Sequence, residues 1–325
     1  MLTDVLSPTR PKLSPPLKWA GGKRWLVPYL KPLWLPHRHR RLVEPLCGGL
    51  AVTLGLMPER ALLNDINPHL INFFNWLKRG LQISIPMAND ADLYYRHRER
   101  FNELTRLGQS DSKEAAELFY YLNRTGYNGL CRFNRRGEFN VPFGRYRKIN
   151  YRRDFSEYTV VFAGWEFTCG DFETVRLEPD DFVYADPPYD VEFRQYSSEG
   201  FSWDDQLRLA RWLAKHPGPV VLSNQATDRV VRLYEQLGFQ LRFVDGPRMI
   251  SCSGDRRPVR EVIATRNIMA PGDAATGRVL ENMAPRPILR RECMGVEPTR
   301  DGAYRPAPVL KTGRPTGAHP LALKF

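Results

Sequence analysis

The chain has 325 residues, 42% of them hydrophobic and 26% charged, a balance typical of a globular protein with one large domain or two smaller ones. Lysine and arginine outnumber aspartate and glutamate by 48 to 36, and the resulting net charge of +12 favours a polyanionic partner, most commonly nucleic acid. No apolar run approaches the ~18–20 residues that a membrane-spanning helix needs, and five cysteines without a CxxC pair favour reduced thiols in the cytoplasm.

Two short apolar runs near the start of the chain are typical of buried strands. Arg41–Glu44 leads into the glycine-bearing loop Pro45–Gly49, and Ala51–Met57 follows as the opening of a helix. Ala61–Asp65 is the second run and also ends on a carboxylate. This alternation predicts a parallel sheet that binds its ligands at the strand ends.

The pattern changes between about Phe73 and Tyr151. This segment is helical and mixed in charge up to Leu122, and then rich in glycine, asparagine and arginine without a long apolar face. Strand and helix signals resume after it. Strands are predicted at Phe182–Ala185, Pro219–Ser223 and Val259–Thr265, and amphipathic helices at Asp204–Ala214 and Asp228–Leu237.

We therefore predict an α/β fold in which a second domain is inserted into the sheet. Residues 1–72 and 152–268 would form the sheet domain, and residues 73–151 the insert. Residues 269–325 carry eight prolines and six glycines without a hydrophobic period. Such a segment buries too little apolar surface to offset its ordering entropy, so we expect a disordered tail.

The motif Asp186-Pro187-Pro188-Tyr189 directly follows the predicted strand Phe182–Ala185. The exocyclic amine of a base is a poor nucleophile, because its lone pair is delocalised into the ring. A carboxylate from Asp186 and a backbone carbonyl, exposed by the rigid Pro187, would accept its two N–H bonds and make it nucleophilic. Tyr189 offers a ring on which an extruded base can stack. An acidic loop with a rigid diproline turn is the plainer alternative.

Three further segments place charged and glycine residues where a ligand of the sheet would lie. Gly48 lets the backbone approach a ligand closely, while Glu44 suits a ribose or an amino group. Lys23 suits a ligand carboxylate, Trp19 an adenine, and Asp65 a ribose or the adenine amine. Taken singly, these segments equally suit tight turns or a helix cap. A nicotinamide site would need G-x-G-x-x-G, which the loop lacks.

The stretch from Arg124 to Arg153 has nine basic residues against one acid, Glu138, with aromatic and asparagine residues interleaved. Arginine and asparagine read guanine and adenine edges, while the remaining cations hold phosphates. Asn134–Gly137 is typical of the turn of a β-hairpin. The stretch therefore predicts a DNA-binding surface, with a solvated basic face as the alternative.

Five motifs together resemble the Dam-type DNA adenine methyltransferases, and they occur in the family's order. The motifs are LKWAGGK (17–23), EPLCGG (44–49), LNDIN (63–67), NRTGYNGLCRFNRRGEFNVPFGRY (123–146) and ADPPY (185–189). The resemblance spans roughly residues 14–267. It implies a Rossmann-like methyltransferase sheet with an inserted helical and β-hairpin DNA-recognition domain, S-adenosylmethionine as methyl donor, and adenine N6 in a short double-stranded site, GATC in the family, as acceptor.

The resemblance also assigns roles to individual residues. The cofactor contacts would be Trp19, Lys23, Asp65 and Asp186, with the loop of Glu44 and Gly48 beside them. The residues expected to meet DNA are Lys18, Arg124, Tyr127, Asn128, Leu130, Arg132, Arg135 and Arg136. In this set Tyr127 and Asn128 would enter or flank the duplex, and Leu130 and Arg132 would face bases.

Two positions depart from the family's pattern. The family usually has a third glycine where Leu50 stands, and often phenylalanine at Leu46. These departures affect cofactor affinity without removing a charged contact.

Two other functions remain open at this point. Motifs like DPPY also serve cytosine-N4 methylation, and a DNA-binding protein with a decayed catalytic site would keep the basic stretch. His37 and His39 have no nearby cysteine or acid to complete a ligand set. We expect a cytoplasmic monomer that acts on double-stranded DNA, without a metal and away from membranes.

Overall fold

A computed structural model describes residues 11–190, 201–246 and 259–268. The predicted tail lies outside these residues. Within them, seven strands form one sheet in the order β3-β2-β1-β4-β5-β7-β6. The strands are β1 (Leu42–Glu44), β2 (Ala61–Asp65), β3 (Trp165–Cys169), β4 (Phe182–Ala185), β5 (Val220–Gln225), β6 (Gln240–Gly246) and β7 (Val259–Arg266).

The direction of the strands decides where the chemistry can lie. Strands β3, β2, β1, β4 and β5 are parallel, whereas β7 is antiparallel to both β5 and β6. The chain order reverses between β1 and β4, and a parallel sheet binds its ligands at the carboxyl ends beside such a switch point. Because β7 runs the other way, its first residues lie at this same edge, where Glu261 pairs with Gln225.

Helices connect the strands, and none of the described ones is long and apolar enough to cross a membrane. Side-chain caps start several of them: Asn67 accepts from two backbone amides of α3, and Ser202 and Asp205 form a capping box on α7. The helices are α1 (Val27–Trp34), α2 (Thr53–Leu56), α3 (Pro68–Lys78), α4 (Ala91–Arg106), α5 (Lys113–Thr125), α6 (Ser156–Phe162), α7 (Trp203–Ala214) and α8 (Asp228–Gln236).

The predicted α/β class and Rossmann-like sheet are confirmed. All five predicted strands are present, and β1, β4 and the first five residues of β5 are continuously buried, as expected for strands covered on both faces. Two strands were not predicted. β6 is an edge strand with mostly exposed residues, and β3 alternates buried and exposed residues, so neither forms a continuous apolar run.

The proposed start of the insert, at residue 73, lies inside a helix. Helix α3 crosses residue 73, packs against α5 and contacts β3. The chain reverses at Asn134–Gly137, where the Asn134 amide donates to the Glu138 carbonyl oxygen at 2.9 Å. The two sides of this reversal are joined by isolated β-bridges rather than by regular strands. One of these bridges pairs Phe133 with Phe139. A separate recognition domain at 73–151 remains a prediction.

An aromatic cluster joins α3, α4 and α5 to this reversal. His69 stacks on Phe133, with ring centroids 5.0 Å apart and planes 15° apart, and also contacts Phe101 and Phe119. The imidazole is buried, and this burial lowers the pKa of His69 from 6.5 to about 4. A neutral imidazole is therefore part of the core.

We predict that His69 makes the fold sensitive to acid. Its pKa is lower in the folded than in the unfolded chain, so protons favour unfolding as the pH falls from about 6.5 towards 4. Between pH 7 and pH 5 the free energy of unfolding of the wild type should decrease. In His69→Phe this decrease should be smaller by about 2 kcal/mol. Urea denaturation at each pH measures this. The same change at exposed His39 is the control, and parallel pH dependences of wild type and His69→Phe would contradict the prediction.

Candidate active site

The carboxyl ends of β1, β2 and β4 carry the three acidic residues that were predicted to lie in the site. Glu44 ends β1, Asp65 ends β2, and Asp186 follows β4. Since β2, β1 and β4 are adjacent and parallel, all three carboxyl groups are at one edge of the sheet. The predicted catalytic and cofactor residues therefore meet there.

The Asp186 carboxylate is held through one of its two oxygens. Ser223 Oγ, on neighbouring β5, donates to Oδ1 at 2.8 Å, and Lys23 Nζ lies 3.3 Å from the same atom. Among the described residues, none donates a hydrogen bond to Oδ2 or forms an ion pair with it. Burial raises the pKa of Asp186 to about 6, although Lys23 and the Ser223 hydrogen bond lower it. The group is thus ionised at neutral pH with one oxygen still able to accept a hydrogen bond.

Lys23 lies at the centre of a buried charged cluster, which we define as Lys23, Asp186, Tyr189 and Glu261. Its side chain is only 3% exposed, and its Nζ lies 3.1 Å from Glu261 Oε2 and donates to the Tyr189 hydroxyl at 2.6 Å. The Tyr189 hydroxyl in turn donates to Glu261 Oε1. The carboxylates of Asp186 and Glu261 raise the pKa of Lys23 against the opposing effect of burial, so it stays protonated.

Buried amides hold the backbone of the Asp186–Tyr189 motif. Gln206 Nε2 donates to the Pro188 carbonyl oxygen at 2.8 Å, and Asn224 Nδ2 donates to Gln206 Oε1 at 3.0 Å. Asn224 Nδ2 also donates to the Tyr234 hydroxyl. Because Asn224 uses its amide nitrogen for both bonds, Gln206 must turn its own nitrogen towards Pro188. The loop is thereby fixed in orientation.

The glycine loop after β1 packs directly against Trp19. A Cβ atom on Gly49 would lie 2.6 Å from Trp19 Cβ, so only glycine leaves room for the indole. The Gly48 amide donates to Asp65 Oδ2 at 3.0 Å. Leu50, where the family usually has glycine, has a φ of 61°. This left-handed conformation costs a leucine about 1–2 kcal/mol and explains the family's usual residue.

Glu44 is buried beneath this loop. Its Oε1 accepts a hydrogen bond from Thr53 Oγ1 at 2.5 Å. Burial raises the pKa of Glu44 to about 8, so the group is protonated at neutral pH. The structure thus places Glu44 next to the glycine loop, while its proposed contact with a cofactor stays a prediction.

The residues predicted to bind DNA are Lys18, next to Trp19, and members of the basic stretch. Lys18 binds the basic stretch closely: its backbone pairs with the Asn123 side chain, and its Nζ lies 3.9 Å from the centre of the Tyr146 ring. Burial, and then the nearby Arg124, lower the pKa of Lys18 to about 8. Arg124 itself donates to the Asn150 carbonyl oxygen.

The other members of this set are mostly exposed. Tyr127 is 50% exposed, and Asn128 has a left-handed φ of 52°, while Leu130 is half-buried. Arg132 is exposed but oriented, because its Nε donates to Asn140 Oδ1 at 2.7 Å. Arg135 and Arg136 are exposed in the turn.

Three residues of the site were not predicted: Ser223, Gln206 and Glu261. All three contact the motif from elements distant in the chain, so their local sequence shows no motif. Glu261 leaves only a weak signal, since it is one of three charged residues in β7. Among the described residues, no cluster of histidine, cysteine, aspartate and glutamate suits a metal ion.

Comparison with known families decides the class of this site. Residues 19–249, well over half of the chain, match the family described as D12 class N6 adenine-specific DNA methyltransferase. The chain belongs to this family.

Curated relatives of this methyltransferase cover most of its length. A DNA adenine methylase of Vibrio cholerae is 40% identical over 269 residues, which are 76% of this chain and 94% of the relative. One from Escherichia coli K12 is 36% identical over 268 residues, covering 76% and 93% of the two chains. The Type II methyltransferase M.MjaIII of Methanocaldococcus jannaschii is 32% identical over 280 residues, covering 76% and 96%.

The family defines the reaction in outline. This adenine-specific methyltransferase acts on DNA and uses a methyl donor of the S-adenosylmethionine type. Membership of this family excludes the nicotinamide-dependent alternative, and the catalytic role of Asp186 stays a prediction.

We predict that Gly49→Ala destabilises the glycine loop of this methyltransferase. The added methyl group would overlap Trp19, and such overpacking typically costs about 1–3 kcal/mol. Gly22→Ala is the matched control, because its Cβ would approach no atom more closely than 3.6 Å. The free energies of unfolding from urea titrations should separate the two variants. Equal stabilities would show that Trp19 moves aside freely.

Proposed function

We propose that this protein transfers a methyl group from S-adenosylmethionine to the N6 amine of adenine in a short double-stranded DNA site, with GATC the expected site. The adenine would be rotated out of the duplex to reach Asp186. The observation that carries this proposal is the asymmetry of the Asp186 carboxylate. Ser223 and Lys23 both hold Oδ1, so Oδ2 is left to accept the N6 proton.

A second acceptor is needed to make the amine nucleophilic. The Pro188 carbonyl oxygen already accepts from Gln206. The Pro187 carbonyl oxygen, one residue after Asp186, is then the backbone acceptor for the other N6 proton. Two acceptors on opposite N–H bonds pull the nitrogen lone pair out of conjugation with the ring. Once N6 has gained the methyl group it carries one proton too many, and the Asp186 carboxylate is the base that takes it.

The residues beside the glycine loop fit the methyl donor. Asp65 presents a carboxylate at the end of β2, and the next residue, Ile66, is an apolar side chain that is 69% exposed. A ribose with an adenine ring matches this combination of an acid and an apolar face. The other residues that we propose to contact the methyl donor are Trp19, Gly48 and Lys23. S-adenosylmethionine, when bound, supplies an electrophilic methyl group on a positively charged sulfur.

Product analysis tests this reaction directly. Duplex DNA methylated by the purified protein is digested to nucleosides, which are separated by chromatography and identified by mass spectrometry. N6-methyladenine is the expected product. N4-methylcytosine, or no methylated nucleoside, would overturn the proposal, and mapping the modified positions tests GATC.

We predict that Asp186→Ala abolishes most methyl transfer while the protein stays folded and still binds DNA. Loss of a group that acts only in the transition state costs about 2.7–4 kcal/mol, which is a rate loss on the order of 100–1000-fold. Asp180→Ala removes an exposed carboxyl group before the same strand and serves as the control. Single-turnover assays with labelled methyl donor measure both variants. Normal turnover by folded Asp186→Ala would refute the catalytic role.

The basic stretch would read the DNA site. Arg132 is the base reader in this proposal, because its guanidinium is exposed and yet held by Asn140. Asn134 closes the turn beside it by accepting from the Arg136 and Glu138 amides. Arg135 and Arg136 are exposed on that turn and suit phosphates, while Tyr127 and Asn128 would enter or flank the duplex.

We predict that Arg132→Ala and Arg135→Ala fail in different ways. Loss of a base contact should cost about 1–3 kcal/mol at the cognate site and relax discrimination at one position. Loss of a phosphate contact should weaken all duplexes alike and reduce the log–log salt slope by about 0.9. Binding of matched and one-base-altered duplexes across a salt series measures both. If Arg132→Ala weakens every duplex equally, Arg132 is a phosphate contact and the base reader lies elsewhere.

A further inference from the structure

Glu261 contacts the Asp186–Tyr189 motif from a strand that runs antiparallel to the strand before the motif. It belongs to antiparallel β7, two strands from β4, and is almost fully buried. Its carboxylate lies 3.1 Å and 3.3 Å from Lys23 Nζ through its two oxygens and accepts the hydrogen bond of the Tyr189 hydroxyl. Glu261 therefore contacts two members of the charged cluster and leaves Asp186 to a different face of the lysine.

Burying a second carboxylate beside Lys23 has a cost in free energy, which points to a role that Asp186 does not fill. Asp186 alone would neutralise Lys23, and each buried charge carries a desolvation penalty of several kcal/mol. Asp186 receives only one lysine contact, at 3.3 Å, whereas both oxygens of Glu261 lie within 3.3 Å of the lysine. Glu261 thus draws the ammonium towards itself and keeps it from covering both oxygens of Asp186.

We propose that Glu261 is a positioning residue for methyl transfer, which holds Lys23 and Tyr189 so that Asp186 keeps an oxygen free for the amine. The inference rests on the proposed function, since it concerns the same carboxylate. Glu261 touches neither the base nor the donor in this scheme. It acts through the lysine that orients the Asp186 carboxylate and through the ring proposed to stack on the base.

The charge of Glu261 also affects the proton affinity of Asp186. The Glu261 carboxylate raises the pKa of Asp186, whereas Lys23 lowers it. If Glu261 is made neutral, the raising effect is lost and Lys23 turns to Asp186. Asp186 should then stay ionised, and the enzyme active, at a lower pH.

The other titratable groups near Asp186 keep the same charge over the pH range in which Asp186 titrates. Burial raises the pKa of Glu44 to about 8, and it raises the pKa values of Tyr184 and Tyr234 above the ordinary tyrosine value. All three are therefore uncharged between pH 5 and pH 7. The groups that act on Asp186 include Lys23, Glu44, Tyr184, Tyr234 and Glu261. Burial also raises the pKa of Tyr189, the remaining member of the charged cluster, so it too is uncharged in this range.

The experiment is a pH profile of kcat for full-length Glu261→Gln with saturating DNA and methyl donor. We predict a fall in kcat of about 10–100-fold at pH 8, because Lys23 and Tyr189 lose their anchor. We also predict that the acidic limb of the profile, which reflects protonation of Asp186 in the wild type, moves to lower pH. A purely structural role lowers kcat at every pH and leaves the limb in place.

Two matched variants complete the design. Asp245→Asn removes one negative charge from an exposed position on neighbouring β6 and should leave both kcat and the limb unchanged. Glu261→Asp keeps the charge on a shorter side chain, so kcat should fall while the limb stays near its wild-type position. It also keeps the inference testable if Glu261→Gln fails to fold, which circular dichroism reveals.

The outcomes separate the two proposals. An unchanged kcat in folded Glu261→Gln, an unmoved limb in that variant, or a limb that moves in Glu261→Asp would overturn the role of Glu261. Asp186→Asn, assayed beside them, tests the catalytic role of Asp186 on its own. If Asp186→Asn turns over normally, the role proposed for Asp186 fails. If it is inactive while the limb of Glu261→Gln does not move, only the role of Glu261 fails.

Discussion

The buried ammonium of Lys23 is the contact on which the arrangement of the active site depends. It comes from the loop before α1 and reaches Asp186 after β4 and Glu261 on β7, three parts of the chain that are far apart in sequence. An unpaired charge at this depth would be strongly destabilising, so the lysine and its carboxylates hold one another in place. Removing Lys23 would leave two buried carboxylates without a counter-charge, whereas removing one carboxylate leaves the lysine paired with the other.

The same short segment also packs against the basic stretch. Lys18 pairs with Asn123 through both backbone atoms, and its side chain lies against Gly129, where a Cβ atom would be only 2.5 Å from Lys18 Cβ. The next residue, Trp19, packs on the glycine loop. Two adjacent residues, Lys18 and Trp19, therefore contact the basic stretch and the glycine loop respectively.

Some of the site could be foreseen from local pattern, and some could not. Asp65 and Asp186 were placed correctly, because a carboxylate at the end of a buried run is a local feature and parallel strands bring such ends together. Ser223 and Gln206 were missed because each acts through one long-range hydrogen bond. β6 was missed because an edge strand needs no apolar run.

The sequence by itself determined the α/β class, the order of the motifs and the family that they indicate, since these depend on hydrophobic periodicity and on residues close together in the chain. Only the tertiary structure decided which oxygen of Asp186 accepts no bond from a described residue, that burial raises the pKa of Glu44, and that Glu261 shares Lys23 with Asp186. These features follow from distances between distant segments and from burial. Antiparallel β7 brings Glu261 to the carboxyl edge, and no local pattern records that direction.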